Sequence, residues 1–268
     1  MSTSSLSRRL TWLAGLLVPG LLGGCGDSPV SPDAETLPDG AVLVDARAGE
    51  GLQGDGPGAS VCDAGPALVA KIDPSRMLAD LTALTGLGDR SSPAGQGKAA
   101  EYLKQQLAQA GLQVRSLAYS YKGASYENLE ATLPGELADR FVFVGAHYDA
   151  GSGSPGADDD ASGTVAVLEA ARALAGCRLK RTLRFLLFSN EEAGTVGSKA
   201  YVKAIAAEVP PSNLLGFLSL DMIGYARPGE DLDVASRPAH AALVDQVAAA
   251  IAKHTSLSVK KVVNDQCG

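Results

Sequence analysis

Three near-continuous apolar segments in the second half of the chain are the strongest structural signal in the sequence. They cover residues 141–144, 183–188 and 214–220, and segments with helical spacing lie between and after them. Strands that are apolar on both faces are typical of parallel sheets covered by helices on both sides. We therefore predict an α/β fold, a three-layer α/β/α sandwich around a mostly parallel mixed sheet.

The other predicted elements complete this picture. Asp73 is suited to the N-cap of a helix, and Pro74 to its first turn. Further helices are predicted at 96–110, 164–175, 198–207 and 239–254, and further strands at 112–119, 126–133 and 259–263. In sheets of this kind, functional sites form at the carboxyl ends of the strands.

Residues 1–25 have the features of a targeting segment. Two arginines precede an apolar run at 10–22, which is too short for a permanent membrane span. The run ends in Leu-Gly-Gly-Cys, which resembles a bacterial lipobox, and Gly26 after the cysteine favours the outer membrane. We expect a lipoprotein signal peptide, lipidation of Cys25, and export to a lipid-anchored position at the cell envelope. An ordinary secretory signal is the alternative.

The segment 26–65 carries the net charge of the whole chain. It holds eight glycines, four prolines, eight acidic residues and one arginine, so its net charge is 1 − 8 = −7. The full chain has 23 Lys+Arg and 30 Asp+Glu, which is also −7, and it is 46% hydrophobic. We predict a disordered acidic linker at 26–65 and one folded domain at 66–268. The acidic balance argues against a nucleic-acid partner.

Polar residues that need an explanation lie just beyond the three apolar segments. They are His147, Asp149, Glu191, Glu192, Asp221 and the acidic turn at 155–163. Taken singly, they have simpler explanations, such as helix caps or solvated faces. Burying several carboxylates together without a cation is costly, however. Their shared position at strand ends favours a metal cluster, and one imidazole with several carboxylates suits Zn²⁺, or less specifically Mn²⁺ or Co²⁺.

Together these motifs resemble metallopeptidase family 28, the co-catalytic di-zinc aminopeptidase family, whose relatives include glutamate carboxypeptidases and glutaminyl cyclases. The matching segments are His147-x-Asp149, the Gly-Ala-Asp-Asp-Asp-Ala-Ser-Gly run at 156–163, Glu191-Glu192 and Leu220-Asp221-Met222. The resemblance covers roughly 70–268, and it implies a zinc exopeptidase domain that acts on peptide or protein substrates.

The resemblance also implies a ligand set for two zinc ions. His147 and Asp221 would bind one ion, Glu192 the other, and Asp159 would bridge both. The family further implies a cis peptide bond between Asp159 and Asp160.

Two more residues receive implied catalytic roles. Glu191 would be the general base for a water that bridges the metals, and it would later protonate the leaving amine. Asp149 is placed to accept the other imidazole N–H of His147 and fix its tautomer. The expected activity is that of an aminopeptidase. A glutaminyl-peptide cyclotransferase on the same scaffold is the alternative.

The sequence departs from the family pattern at its C-terminal end. The pattern has a final histidine ligand for the second metal, and the chain stops at 263–268 before such a residue. His240 and His254 match no family ligand, and we interpret them as surface or helix-end residues. We expect a C-terminal truncation before the last histidine ligand, which would weaken the second zinc site and impair activity. An inactive metal-binding protein is a further alternative.

The remaining cysteines are Cys62, Cys177 and Cys267. Export would expose them to an oxidising compartment. A disulfide between Cys62 and Cys177 is one option and two unrelated thiols are the other, because sequence alone does not fix connectivity.

Overall fold

A computed structural model describes residues 60–61, 66–225 and 231–264. The predicted signal peptide with Cys25 lies outside the described residues, as does the predicted linker apart from residues 60–61. In the part of the chain that the structure describes, no helix has both the length and the apolar character needed to cross a membrane.

The described residues form six α-helices and eight strands. The helices are α1 (Pro66–Val69), α2 (Pro74–Gly86), α3 (Pro93–Gln109), α4 (Ala161–Leu174), α5 (Val196–Ile205) and α6 (Ala241–His254). The strands are β1 (Ser60–Val61), β2 (Val114–Tyr121), β3 (Ala124–Leu133), β4 (Gly135–His147), β5 (Cys177–Phe188), β6 (Leu214–Ser219), β7 (Leu232–Ser236) and β8 (Val259–Val263).

The main sheet has the strand order β2-β3-β5-β4-β6, and β1 pairs with the start of β5. Strands β5, β4 and β6 are parallel neighbours, whereas β2 and β3 are paired antiparallel. Strands β7 and β8 form a separate parallel pair. Because β5, β4 and β6 run in the same direction, their carboxyl ends meet at one edge of the sheet, with the end of β4 in the middle.

Alternate side chains of β4 and β5 enter two separate apolar cores. Val144 and Phe185 belong to the core under α2, α3 and α4, whereas Phe143 and Leu186 belong to the core under α5. Both faces of the sheet are therefore covered by helices, as the uninterrupted apolar strands predicted. The three-layer α/β/α sandwich around a mixed sheet is confirmed.

The element bounds differ from the predictions mainly at the amino ends of the strands. Strands β4 and β5 begin at Gly135 and Cys177, six residues before the apolar segments at 141–144 and 183–188. Those additional residues are largely exposed or half-buried, so they lack the apolar signal. Strand β7 was not predicted, because its sequence Leu-Asp-Val-Ala-Ser is short and contains an acidic residue.

The short strand β1 lies within the segment that we predicted to be a disordered linker. Ser60 and Val61 pair with Cys177 and Arg178, so the linker prediction does not hold at these two residues. Cys177 is disulfide-bonded. Its candidate partner Cys62 lies outside the described residues, and the Cys62–Cys177 pair stays a prediction.

A fully buried carboxylate joins α2 to α4. Glu169 on α4 accepts hydrogen bonds from the backbone N–H of Asp73 (2.8 Å) and from Nε of Arg76 (2.9 Å). The Glu169 side chain is 0% exposed, and its hydration is replaced by these donors together with Nη2 of Arg76 and Nη1 of Arg172. A buried charge of this kind stabilises a fold only while its partners are present.

We expect Glu169→Ala to lower the free energy of unfolding by about 2–4 kcal/mol, because it leaves the Arg76 guanidinium and a backbone amide without their acceptor. Chemical denaturation measures this loss. The matched control is Glu101→Ala on α3, whose carboxylate is 60% exposed beside Lys104. This control should change stability by less than about 1 kcal/mol, and equal losses in the two variants would contradict the prediction.

Candidate metal centre

Three loops meet where β4, β5 and β6 end. His147 is the last residue of β4 and lies opposite Phe188, the last residue of β5. On the other side of β4, the backbone N–H of Leu220 donates to the carbonyl oxygen of Gly145 at 2.8 Å. This bond extends the pairing of β6 by one residue and brings Asp221 to the end of β4.

The imidazole of His147 faces two aspartates. Its Nε2 lies 3.1 Å from Oδ1 of Asp159 and 3.9 Å from Oδ1 of Asp221. One potential ligand atom from each of these residues falls within 4.8 Å of the other two. The His147 side chain is buried, whereas those of Asp159 and Asp221 are 43% and 54% exposed. The group, which we call the first metal site, is therefore open to solvent on its carboxylate side.

Asp149 connects the imidazole to the loop after β5. Its Oδ1 lies 3.3 Å from Nδ1 of His147, which leaves Nε2 to face the aspartates. The same carboxylate accepts hydrogen bonds from the backbone N–H of Glu191 (3.0 Å) and of Glu192 (3.1 Å). A carboxylate partner of this kind orients a metal-binding histidine and raises its basicity. The contact expected for Asp149 is present, and its catalytic role stays a prediction.

Asp160 holds the backbone on both sides of the first metal site. It caps α4 by accepting from the N–H of Gly163 (2.8 Å), and its other oxygen accepts from the N–H of His147 (3.2 Å). The hydroxyl of Thr164 donates to the carbonyl oxygen of His147 at 2.7 Å. The peptide bond between Asp159 and Asp160 is cis, as the family resemblance implies.

Glu191 and Glu192 follow β5 but are not part of the first metal site. Glu191 is half-buried and Glu192 is exposed. A Cβ added at Gly151 would lie 3.2 Å from Oε1 of Glu192, so the glycine leaves room for this carboxylate. Glu192 was predicted to bind a second metal and Glu191 to act as the general base, and both roles stay predictions.

The acidic groups of the site destabilise one another's charged forms. Burial is the largest cause that raises the pKa of Glu191, Glu192 and Asp221; neighbouring carboxylates add to the rise, and the charge of His147 opposes it. Burial lowers the pKa of His147, but Asp149 and the other nearby aspartates more than offset this effect and raise it to about 9. The site therefore favours a positive charge at its centre, and a divalent cation would supply it in place of the imidazole proton.

The donor set fits zinc. Four ligands at about 2.1 Å in a tetrahedral arrangement lie about 3.4 Å from one another. The observed separations of 3.1 Å and 3.9 Å from the imidazole nitrogen bracket this value. One imidazole and two carboxylates also leave a fourth position free, and the exposed side of Asp159 and Asp221 can supply it with water. Three protein ligands and one open position are typical of catalytic zinc sites.

Arg90 supports the site and was missed in the sequence analysis. Its buried guanidinium donates to the carbonyl oxygens of Leu84 (3.1 Å), Tyr148, Pro155 and Gly156 (each 2.9 Å). Burial lowers the pKa of Arg90. The side chain thus ties the residue after His147 to the acidic turn. A contact with backbone carbonyls leaves no pattern of residue types, so no sequence motif marks it.

Asn190, the polar residue after β5 to which the sequence assigned no role, supports the turn before Glu191. Asn190 has a left-handed backbone conformation with φ of 51°. Its Nδ2 donates to the hydroxyl oxygen of Tyr119 at 2.9 Å, and its Oδ1 accepts from Nε2 of Gln96 at 3.0 Å. An asparagine directly after a buried strand is a weak signal of such a turn, because asparagine tolerates this conformation better than most residues.

Comparison with known proteins agrees with the fold and identifies the family. The sequence profile of peptidase family M28 matches residues 128–268, more than half of the chain. The chain therefore belongs to peptidase family M28.

Individual relatives and solved structures are similar to large parts of the chain, and two of the three named below are called aminopeptidases. Leupeptin-inactivating enzyme 1 of Streptomyces exfoliatus is 34% identical over 154 residues, which are 57% of this chain and 35% of that protein. Leucine aminopeptidase 1 of Arthroderma gypseum is 30% identical over 231 residues, which are 77% of this chain and 61% of that protein. The LapA aminopeptidase of Legionella pneumophila has a similar fold, with a TM-score of 0.63 and 22% identity, over 79% of this chain and 61% of that one. The chain thus spans less than two thirds of each relative.

We expect His147→Ala to weaken zinc binding by about 100-fold or more, because it removes the imidazole ligand of the first metal site. Titration calorimetry with Zn²⁺ on the metal-free protein measures the affinity. His254→Ala is the matched control, since His254 lies at the end of α6 and is not among the converging ligands. The prediction fails if the two histidine variants bind zinc equally well.

Proposed function

We propose that this protein is a zinc-dependent exopeptidase, and specifically an aminopeptidase that removes residues from the N-termini of peptides. The observation that carries the proposal is the convergence of His147, Asp159 and Asp221 at the carboxyl edge of the sheet. Membership of peptidase family M28 supports peptide bonds as the target, and the aminopeptidase names of the relatives favour the N-terminus over the C-terminus.

The first metal site would hold one zinc ion through His147, Asp159 and Asp221. A bound zinc ion polarises the scissile carbonyl and makes an adjacent water more acidic. We propose that Glu192 and Asp159 contribute to a second ion, so that the site would hold two. The exposed position of Glu192 and the close approach of its carboxylate to Gly151 are compatible with that role.

Glu191 would move the proton in the reaction. Its backbone N–H is fixed by Asp149, so the residue is anchored to the same carboxylate that orients the imidazole. Burial and the neighbouring acids raise the pKa of Glu191, which makes it a better base than a solvated glutamate. It would take a proton from the attacking water and deliver one to the leaving amine. Asp149 would keep the imidazole oriented throughout.

The test compares hydrolysis of aminoacyl-nitroanilides by the wild type and by Glu191→Gln, using protein encoded by the complete reading frame. We expect the glutamine variant to lose about 10²–10⁴-fold in kcat while its zinc content is unchanged, because the amide cannot accept the proton. Glu136→Gln, an exposed position on β4, is the control and should keep wild-type activity.

Three results would count against the proposed function. They are activity that survives a strong chelator, full activity in Glu191→Gln, or release of residues from the C-terminus only. Formation of pyroglutamate from peptides with N-terminal glutamine, without hydrolysis, would instead identify a glutaminyl cyclase.

We also propose that the protein is exported and anchored at the cell envelope through a lipid on Cys25. The support is the sequence pattern alone: a basic start, an apolar run and the Leu-Gly-Gly-Cys ending at residue 25. The charged and glycine-rich segment at 26–65 would then separate the domain from the membrane surface.

We expect Cys25→Ser to move the protein out of the membrane fraction, because it removes the thiol that would carry the lipid. Fractionation together with labelling by a fatty-acid analogue measures both effects. Cys267→Ser is the control and should stay in the membrane fraction with its label. An unlabelled wild-type protein would refute the lipid anchor.

A further inference from the structure

The Asp221 side chain makes no contact that would hold its carboxylate in place within the described residues, so something else must position it. Within the described residues, no hydrogen bond reaches the Asp221 carboxylate, which is 54% exposed and lies 3.9 Å from the imidazole of His147. It stands on a loop that follows β6. The loop is fixed at its start by the bond from Leu220 to Gly145, so a second anchor beyond Asp221 would determine where the carboxylate points.

The structure contains such an anchor, and Asp158 provides it. Oδ1 of Asp158 accepts hydrogen bonds from the backbone N–H of Gly224 (2.7 Å) and of Tyr225 (3.0 Å). Asp158 immediately precedes Asp159, which is the other carboxylate of the first metal site. The bonds therefore join the two ligand-bearing loops directly, from one residue before Asp159 to the third and fourth residues after Asp221.

Ser162 reinforces the same junction. Its hydroxyl donates to the carbonyl oxygen of Asp158 at 2.7 Å and accepts from the backbone N–H of Ile223 at 3.0 Å. Ser162 is fully buried in the first turn of α4. The fit around it is tight, because a Cβ added at Gly224 would lie 2.9 Å from Cβ of Ser162 and 3.1 Å from Oδ1 of Asp158.

The three consecutive aspartates therefore have three different surroundings. Asp160 binds the backbone of His147, Asp158 binds the loop that follows Asp221, and Asp159 between them faces the imidazole. The carboxylates of both outer aspartates accept hydrogen bonds from backbone N–H groups: those of His147 and Gly163 for Asp160, and those of residues 224 and 225 for Asp158. Only the middle one turns its carboxylate to the first metal site.

We propose that Asp158 and Ser162 are positioning residues, which hold the loop of Asp221 in register with that of Asp159 so that both carboxylates reach one cation. This inference rests on the proposed zinc-dependent function. Neither residue is among the three converging ligands, and their effect would be transmitted through the backbone at residues 223–225.

The test measures zinc affinity by chelator competition and the visible spectrum of the Co²⁺-substituted protein. We expect Asp158→Ala to weaken zinc binding by about 10–100-fold and to alter the cobalt spectrum, because outer partners of metal ligands have effects of this size. Asp158→Asn should remain within about threefold of the wild type, since its amide oxygen still accepts from both N–H groups.

The matched control is Asp73→Ala. Oδ1 of Asp73 also accepts from two backbone N–H groups, those of Ser75 (2.9 Å) and Arg76 (3.2 Å), but at the start of α2. If Asp158 acted only through general stability, the two alanine variants would affect zinc binding equally. We expect Asp73→Ala to keep the wild-type zinc affinity and cobalt spectrum.

Gly224→Ala provides a second variant that removes no polar group. Its added Cβ would push the loop away from Ser162. We therefore expect weaker zinc binding and an altered cobalt spectrum here as well. This variant decides the test if Asp158→Ala does not fold. The proposal is overturned if the folded Asp158→Ala protein keeps the zinc affinity and cobalt spectrum of the wild type. If that variant does not fold, the same result in Gly224→Ala overturns it. A wild-type protein that binds no zinc at all would instead overturn the proposed function, and this inference with it.

Discussion

Carboxylates that are gathered at one edge of a sheet repel one another, and this repulsion is the constraint on which the rest of the site depends. Burial and the charges of neighbouring acids raise the pKa of Glu191, Glu192 and Asp221. Against the lowering effect of its burial, the pKa of His147 is raised to about 9 by Asp149, Asp160 and Asp221. Such a cluster is costly unless positive charge enters it. A divalent cation bound between the imidazole and the aspartates would offset this repulsion. The same cation would supply the Lewis acid that the proposed reaction needs.

The fold brings these groups together because three parallel strands end side by side. Strand β4 lies between β5 and β6, so the loops after all three are neighbours although they are far apart in the sequence. Placement at the strand ends gives proximity but not orientation. Orientation comes from a surrounding set of buried side chains that bind backbone groups, among which Arg90, Asp149 and Asp160 act on different loops. Among the described residues, no hydrogen bond from the protein reaches the carboxylates of Asp159 and Asp221, so both can face a cation.

Much of this arrangement could be predicted from sequence, because the signals for it lie within short segments of the chain. The apolar strands at 141–144 and 183–188 carry their own signal, and each is followed at once by the polar residues of the site. The α/β/α fold and the grouping of His147 with Asp159 and Asp221 follow from that order together with the family resemblance. The cis peptide after Asp159 came from the resemblance alone.

The parts that escaped prediction depend on contacts between distant backbone segments. Arg90 precedes the acidic turn by more than sixty residues. It donates to backbone carbonyl oxygens, which every residue type has, so the sequence of the turn does not indicate the contact. The bonds from Asp158 to residues 224 and 225 are of the same kind. Within the described residues strand β7 pairs with β8, which follows after a complete helix, and the five residues of β7 carry no signal of that pairing.

The central claim is that a divalent cation binds between the imidazole and the aspartates. Zinc X-ray absorption on the loaded protein tests it most directly. The account predicts a shell of nitrogen and oxygen ligands at about 2.0–2.1 Å, with the outer scattering of a single imidazole. A shell containing sulfur, a shell without imidazole, or zinc surrounded by water alone would contradict it.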